Sequence, residues 1–399
     1  MISCERALEL VREHVRPLSR AGEVELQHSV GEVLAEDIVA DLDMPPFDQA
    51  RMDGYALRRA DVASLPATAP IAGIVRAGDP PGACLEAGAA IKVMTGAPLP
   101  SGAELVVPVE DTETETGGVR VMESANRAAN LVRRGSDFGR GDTLLCAGHR
   151  LTIADLAVLA TAGRPRVVVR APDRRALVIS GGDELVAVGD TLSPGQIRNS
   201  NGPTMTGLLT AMGLPAAELA MARDTRDQHA ALIARALADA DVVVTSGGVS
   251  MGDFDVVPEA IAAAGGRIHF DRVAIQPGKP VTLATTAEGK IVLALPGNPC
   301  SAYVTCLLFG GAIIAALLGE TVEPRQERAV LAHDVAGAGA RRRFLPARRR
   351  ADGRVELVPW NGSGDLLGFS RGDCLMMLRE GVGPLAAGDA VELLTMPER

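Results

Sequence analysis

Hydrophobic and polar positions recur along this chain with two different periods, and the places where the period changes mark out its regions. Near the N-terminus, Leu8, Val11 and Val15 lie at helical spacing behind Ser3, a residue suited to cap a helix. A second short helix is expected over residues 30–38. The pattern then breaks, because Pro45 and Pro46 force extended chain and Asp53-Gly54 reads as a turn. Over residues 71–121 the short apolar runs IAGIV, AIKVM, ELVVPV and GVRVM, punctuated by Gly and Pro, predict a small β domain with EDTETETGG as an acidic loop tip. LTIADLAVLATAG, from Leu151, predicts a helix with Thr152 as its cap and Gly163 at its end.

From Arg174 onward strands and helices alternate. RALVIS, AELAMAR, DVVVTSGG and KIVLALPGNP read as strands, and PTMTGLLTAMG, HAALIARALADA and PEAIAAAGG as helices. This βαβ succession predicts a parallel sheet with helices on both faces. The uncharged stretch 302–319 is long enough to span a membrane, but it contains Thr305, Cys306 and Gly310-Gly311 and starts from a PGNP motif, so it is expected to be a buried or interface helix. Beyond Thr321 the runs RAVLAHDV, RFLPARRR, RVELVPW, LMMLRE and AVELLT predict a small C-terminal β barrel or sandwich. Its arginines at 341–343 and 348–350 read as solvated edge-strand charge, or as a basic face turned to an anion site.

Composition narrows the function classes. A chain of 399 residues with 47% hydrophobic and 23% charged residues is globular, with room for two to four domains. A net charge of −10 and 3% aromatics argue against a nucleic-acid partner. The six cysteines form no CxxC pair and there is no HExxH, so neither a zinc site nor a redox dithiol is indicated. Reduced thiols, and an N-terminal stretch that is charged and amphipathic, fit a cytoplasmic protein without a signal peptide. Only Lys92, Lys279 and Lys290 are lysines, among many arginines. Lys290 reads as solvated surface. Lys279, between prolines in QPGKP, reads as a compact point charge for an oxyanion.

The chemistry-bearing residues gather at strand ends, where ligands bind in open α/β sheets. SGGDEL brings Glu184, RDT brings Asp224, and TSGGVSMGDFD brings Ser246, Gly247, Gly248, Asp253 and Asp255. A small-residue turn lets backbone N–H groups approach an anion, and carboxylates beside it suit an anhydride handled with a divalent cation. Taken alone, the turn fits an ordinary Gly-rich βα connection equally well. LPGNP places Asn298 as N-cap and Pro299 as first helical residue, with free N–H groups beyond them. Asp53 and Asp137, the latter flanked by Arg133, Arg134 and Arg140, read either as oriented carboxylates or as surface turns.

MDGYA, MTGAP, GDEL, SGGVSMGD, PGKP and LPGNP occur in this order, and together they resemble the molybdopterin molybdenumtransferase family, which includes bacterial MoeA and the gephyrin E domain. The resemblance covers nearly the whole chain. It implies an α/β multidomain fold: a segmented, partly helical domain (1–42 and 141–171), a β-rich domain (43–140), a molybdopterin-binding parallel-sheet α/β domain (172–320) and a C-terminal β-barrel (321–399). It implies a homodimer whose cleft lies between the third domain of one subunit and the second of the other. The implied reaction takes adenylylated molybdopterin and molybdate to molybdenum cofactor and AMP with Mg(2+), followed by handover to partners in cofactor biosynthesis. Carried over by motif, the catalytic residues are Asp53, Asp137, Glu184, Asp224, Asp255 and Lys279, with Glu184, Asp224 and Asp255 as metal ligands. Thr95, Ser246, Gly247, Gly248, Gly278, Pro296, Gly297, Asn298, Pro299, Ser301, Arg341 and Ser363 are the implied substrate contacts. Two departures stand out: Gln276 replaces a lysine common in the family, and the matches at Arg341 and Ser363 are loose. Adenylyl transfer to molybdopterin by a related single-domain fold, and a non-catalytic scaffold, are the alternatives. MDGYA, MTGAP and the C-terminal β region argue against the first, and the retained acids against the second.

Overall fold

The computed structural model describes residues 1–122, 129–248, 256–322 and 326–397. The chain forms two compact units, one built from Met1–Val24, Gly31–Val33 and Val168–Arg399, the other from Glu25–Val30 and Leu34–Val167.

The first unit is organised on an open sheet of six strands: β1 (Ala176–Gly181), β2 (Ala216–Ala222), β3 (Val242–Ser246), β4 (Arg267–Arg272), β5 (Pro280–Thr285) and β6 (Ile291–Leu295). Their spatial order is β2-β1-β3-β6-β5-β4. β2, β1, β3 and β6 are parallel. β5 is antiparallel to β6, and β4 to β5, so the expected parallel sheet gains an antiparallel margin. The cause is local: Thr286 N–H bonds the Lys290 carbonyl at 2.9 Å and Gly289 turns at φ +81°, and so tight a hairpin cannot join parallel strands.

Successive residues of β3 serve opposite faces, as strand geometry requires. Val243 packs with Ile179, Ile233, Val257 and Ile261 on one side. Val242 and Val244 pack with Met205, Leu209, Phe309 and Ile313 on the other. The helix Pro299–Leu317 is thus a core element: its mean hydropathy is 2.0, but 83% of its apolar window is buried. A π turn, Cys306–Gly310, interrupts it. The helix Cys4–His14 joins the same core through Cys4, Ala7, Leu8 and Val11, and the Ser3 hydroxyl accepts the Arg6 N–H at 3.1 Å as its cap.

The C-terminal strands β7 (Gln326–Leu331), β8 (Arg342–Arg349), β9 (Arg354–Leu357), β10 (Cys374–Leu378) and β11 (Ala390–Thr395) close on themselves. The pairings run β8–β9–β7–β11–β10–β8, which makes a five-stranded barrel and not a sandwich. Closure removes edges, so the basic run is not edge charge. Arg348 and Arg350 both pair with Glu356 across the ladder, and Arg349 with Glu327 and Asp373. Arg342 is buried and pairs with Glu5 and Glu380. Lys290 is likewise tied down: its ammonium donates to the Ala240 carbonyl at 2.9 Å and lies 3.8 Å from the Asp241 carboxylate.

The second unit holds a six-stranded curled sheet in the order Leu105–Pro108, Gly54–Leu57, Ala90–Val93, Ala67–Val75, Gly118–Val121, Thr112–Glu115. The long strand Ala67–Val75 pairs with Gly118–Val121 over its first half and with Ala90–Val93 over its second. Two small cores form on the sheet. Thr112–Glu115, expected in a loop tip, is an edge strand with mostly exposed residues, a use of acidic side chains that discourages further pairing. The helix expected over 30–38 is absent. Gly31 turns at φ +84°, the Leu34 backbone exchanges hydrogen bonds with Gly148 and His149, and Ile38–Val39 pairs with Thr143–Leu145. The helix Ile153–Thr161 forms as predicted; the Asp155 carboxylate accepts both the Thr152 N–H and hydroxyl at 2.7 Å, and Gly163 ends the turn at φ +66°.

Candidate functional site

A cavity of about 390 Å³ opens at the carboxyl ends of β1, β2, β3 and β6. Each strand delivers a turn to it. After β1 come Gly181, Gly182 and Glu184; after β2, Asp224; after β3, Gly247 and Gly248; after β6, Pro296, Gly297, Asn298 and Pro299. The strand-end register predicted from the sequence is therefore realised in one space.

The turns fit because they lack side chains. Gly247 stands at φ +88°, and a Cβ there would overlap the Gly181 carbonyl oxygen. Gly248 stands at φ +67°, where a Cβ would press on Val257 at 2.9 Å. A Cβ on Gly297 would come within 3.5 Å of the Gly247 Cα. Backbone thus packs on backbone: the Gly247 N–H donates to the Leu295 carbonyl at 3.2 Å, which ties the turn to β6, and the Gly248 N–H is the one this turn can offer to an anion. The acidic turns are braced against each other: the Asp183 N–H reaches the Asp224 carboxylate at 3.4 Å, and the Asp224 N–H reaches the Asp183 carboxylate at 3.3 Å.

Other predicted residues lie behind or beside this wall. Ser246 is 1% exposed and does not line the cavity; its hydroxyl, like that of Thr245, finds no hydrogen-bond partner among the described residues. Asn298 begins its helix, with Pro299 at the first position, but its side chain makes no capping bond. The Cys300 N–H is already taken, by the Ser363 carbonyl at 3.1 Å, so Ser363 reaches this helix start through its backbone. Gly278, at φ +107°, packs so closely on Thr305 that no Cβ fits, and Ser301 is buried in the same helix. Lys279 is half-buried beside Pro280, which does line the cavity. Gln276 pairs in register with Arg343, and Ile275 with Arg342, so Arg341 stands just ahead of this junction. Asp253 and Asp255 lie outside the described residues.

In the second unit, Asp53 is oriented. Its Oδ1 accepts both the N–H and the hydroxyl of Thr95 at 2.7 Å. The Thr95 N–H, then its hydroxyl, hold the Asp53 carboxyl below the usual carboxylate range. The next residue, Gly54, lets its strand lie against Val107, whose carbonyl a Cβ there would overlap. Asp137 stays exposed, with Ser136 Oγ 3.4 Å from its carboxylate. The neighbouring arginines are held by two acids that the sequence reading passed over. Arg134 donates from Nε to Asp43 at 2.6 Å, and Arg133 pairs with Asp48.

The sequence reading also missed two asparagines. Asn199 and Asn201, from IRNSNGP, line the cavity; Asn201 Nδ2 donates to the Gly297 carbonyl at 2.8 Å, while its Oδ1 is buried without a partner among the described residues. The available signal was a pair of amide side chains just before an apolar helix. Among the described residues no three His, Cys, Asp or Glu side chains gather as a metal cage. Glu184 and Asp224 nevertheless share the cavity, and two carboxylates with open positions suit a divalent cation that keeps water or phosphate oxygens as its remaining ligands.

Comparison with known proteins adds the following. Residues 2–163 match the MoeA N-terminal region (domain I and II), 178–315 a probable molybdopterin binding domain, and 328–396 the MoeA C-terminal region (domain IV). A molybdopterin molybdenumtransferase of Staphylococcus epidermidis is 32% identical over 403 residues, covering 98% of this chain and 95% of that protein. One from Nostoc sp. is 34% identical over 388 residues, covering 94% and 88%. A crystal structure of a molybdopterin biosynthesis MoeA protein from Pyrococcus horikoshii superposes with a TM-score of 0.80 at 32% identity, covering 100% of both chains. A second such structure from the same organism gives 0.85 at 24% identity, covering 99% of this chain and 100% of the other.

Proposed function

This chain belongs to the molybdopterin molybdenumtransferase (MoeA) family, and on that premise we propose that it is a transferase of molybdenum cofactor biosynthesis that takes adenylylated molybdopterin and molybdate and releases AMP. The observation that carries this reading is the single cavity in which Glu184 and Asp224 face the Gly247–Gly248 turn and the PGNP loop. A phosphoanhydride needs a backbone donor and a neutralising cation side by side, and that combination is what these residues offer.

Glu184 and Asp224 would hold the divalent cation, with Asp255 as the third carboxylate by family resemblance. The cation, magnesium in this reading, supplies charge neutralisation for the anhydride oxygens. Gly248 binds phosphate through its backbone N–H, while Gly247, its own N–H given to the Leu295 carbonyl, keeps the wall free of a side chain. Asn201, anchored on Gly297, sets the width of the cavity between the helix Asn201–Ala211 and the PGNP loop. Lys279 attracts the oxyanion as a point charge. Asp53, fixed and kept ionised by Thr95, is an orienting carboxylate for substrate. An oxygen of water or of molybdate adds to the adenylyl phosphorus as its bond to the bridging oxygen breaks, so AMP departs with the incoming oxygen and molybdopterin keeps the bridging oxygen on its phosphate. A homodimer and a cytoplasmic setting belong to the same reading and rest on family resemblance and composition.

The test is direct. Incubation with adenylylated molybdopterin, molybdate and magnesium is expected to release AMP, and omission of molybdate or addition of a chelator to suppress it. AMP formation indifferent to molybdate would reject the reading.

A further inference from the structure

One wall of the cavity is apolar and takes no part in holding phosphate or cation. The short strands Leu185–Val186 and Ile197–Arg198 pair in parallel, with Leu185 opposite Ile197. Paired residues share a face, and both of these line the cavity. Ile197 is 54% exposed, an aliphatic side chain open to water among acids, amides and glycines. A flat ring laid on it would remove that surface from water. The ladder also has a spare edge. The Ile197 N–H donates to the Glu184 carbonyl and the Asn199 N–H to the Val186 carbonyl, each at 2.9 Å. Alternation then turns the Arg198 N–H and carbonyl to the other edge, with which no strand pairs among the described residues. Arg198 lines the cavity although its side chain leaves from the opposite face, where it donates to the Asp190 carbonyl at 3.1 Å, so its backbone edge is the part turned inward.

We propose that this wall seats the adenine of the adenylyl group: Leu185 and Ile197 cover one face of the ring, while the Arg198 carbonyl accepts from its N6 amine and the Arg198 N–H donates to an adjacent ring nitrogen. Adenine presents that amine with an acceptor nitrogen on either side, and a base is recognised by apolar packing on its face together with hydrogen bonds at its edge. The reduced pterin of the other half is puckered, and its amino and ring N–H donors call for a carboxylate, whereas Glu184 and Asp224 are committed to the cation. At about 390 Å³ the cavity lies near the lower end of ligand pockets, so one heterocycle with its phosphate fills it. The proposal rests on the functional reading above for the adenylyl group as occupant.

Three forms of the full chain are compared: wild type, Ile197→Ser, which removes the apolar seat, and Arg198→Pro, which removes the edge N–H. Binding of AMP is measured calorimetrically with magnesium present, with inorganic pyrophosphate as a probe of the phosphate end alone, and folding by thermal melting. Wild type is expected to bind purine riboside monophosphate, which differs from AMP only in lacking the N6 amine, about 10-fold more weakly or worse. Both variants are expected to bind AMP about 10-fold more weakly or worse and to keep their affinity for pyrophosphate. Equal binding of AMP and purine riboside monophosphate, wild-type AMP binding by Ile197→Ser, or parallel loss of AMP and pyrophosphate in both variants would overturn the proposal. So would an Ile197→Ser variant that loses molybdopterin and keeps AMP, because the wall would then seat the pterin. Should AMP bind with the expected dependence on N6 while wild type releases none from adenylylated molybdopterin, the adenine site stands and the transferase reading falls. Should Ile197→Ser release AMP as wild type does and bind it equally well, the adenine site falls and the transferase reading stands.

Discussion

At the scale of single residues, the site depends on missing side chains as much as on present ones. Gly247→Ala places a Cβ against the Gly181 carbonyl at a φ of +88°. The variant should lose about 1–3 kcal/mol of stability and at least 10-fold in AMP release, measured by denaturant titration and by product assay. The acids were legible in the sequence because three of the four strand ends carried them in register. Asn199 and Asn201 were not: an amide beside apolar residues has no signature until the turns around it are known. Ser246 went the other way, since strand alternation buries its hydroxyl while the two glycines after it form the wall.

Among elements, the helix Pro299–Leu317 carries the most weight. It begins at the cavity with the PGNP loop and runs through the main core, where Phe309 and Ile313 are fully buried. Ile313→Ala should cost about 2–5 kcal/mol in global stability, seen as a lowered denaturation midpoint with unchanged slope. A second element-level prediction concerns β4. His269 stacks on His14 with ring centroids 3.7 Å apart and shares a 2.8 Å hydrogen bond with Thr285. Burial first, then His14 and Arg267, push its pKa from 6.5 down to about 4. The unfolded chain then binds a proton near pH 6.5 that the folded chain binds only near pH 4, so this group's contribution to stability falls as pH is lowered through that window. Thermal melts of wild type should decline from pH 6.5 to 4, and those of His269→Asn should decline less. The β4–β5 margin escaped the sequence reading because RIHFDR and PVTLAT sit between stronger signals. The expected helix at 30–38 failed because apolar spacing alone cannot reveal that Leu34 bonds residues 148 and 149.

On the scale of the whole molecule, the N-terminal helix and the barrel are tied through one buried guanidinium. Arg342 on β8 pairs with Glu5 of that helix and with Glu380. Arg342→Ala should lower stability by about 1–3 kcal/mol: Glu5 is 54% exposed, which caps the pair's worth, while the emptied site adds a packing loss. Long-range ties of this kind, and the closure of five strands into a ring, follow from register between distant segments, which local patterning does not encode. The order of the six motifs, by contrast, was legible throughout, because each is a turn whose chemistry is written in consecutive residues.

The central claim is that the β1–β2–β3–β6 rim, through Glu184 and Asp224, is where AMP leaves. The most direct measurement is AMP release from adenylylated molybdopterin, with molybdate and magnesium present, by wild type, Glu184→Gln and Asp224→Asn at matched folded concentration. Both variants are expected to melt as wild type does and to release AMP about 100-fold more slowly or less. A wild-type rate from either would contradict the account.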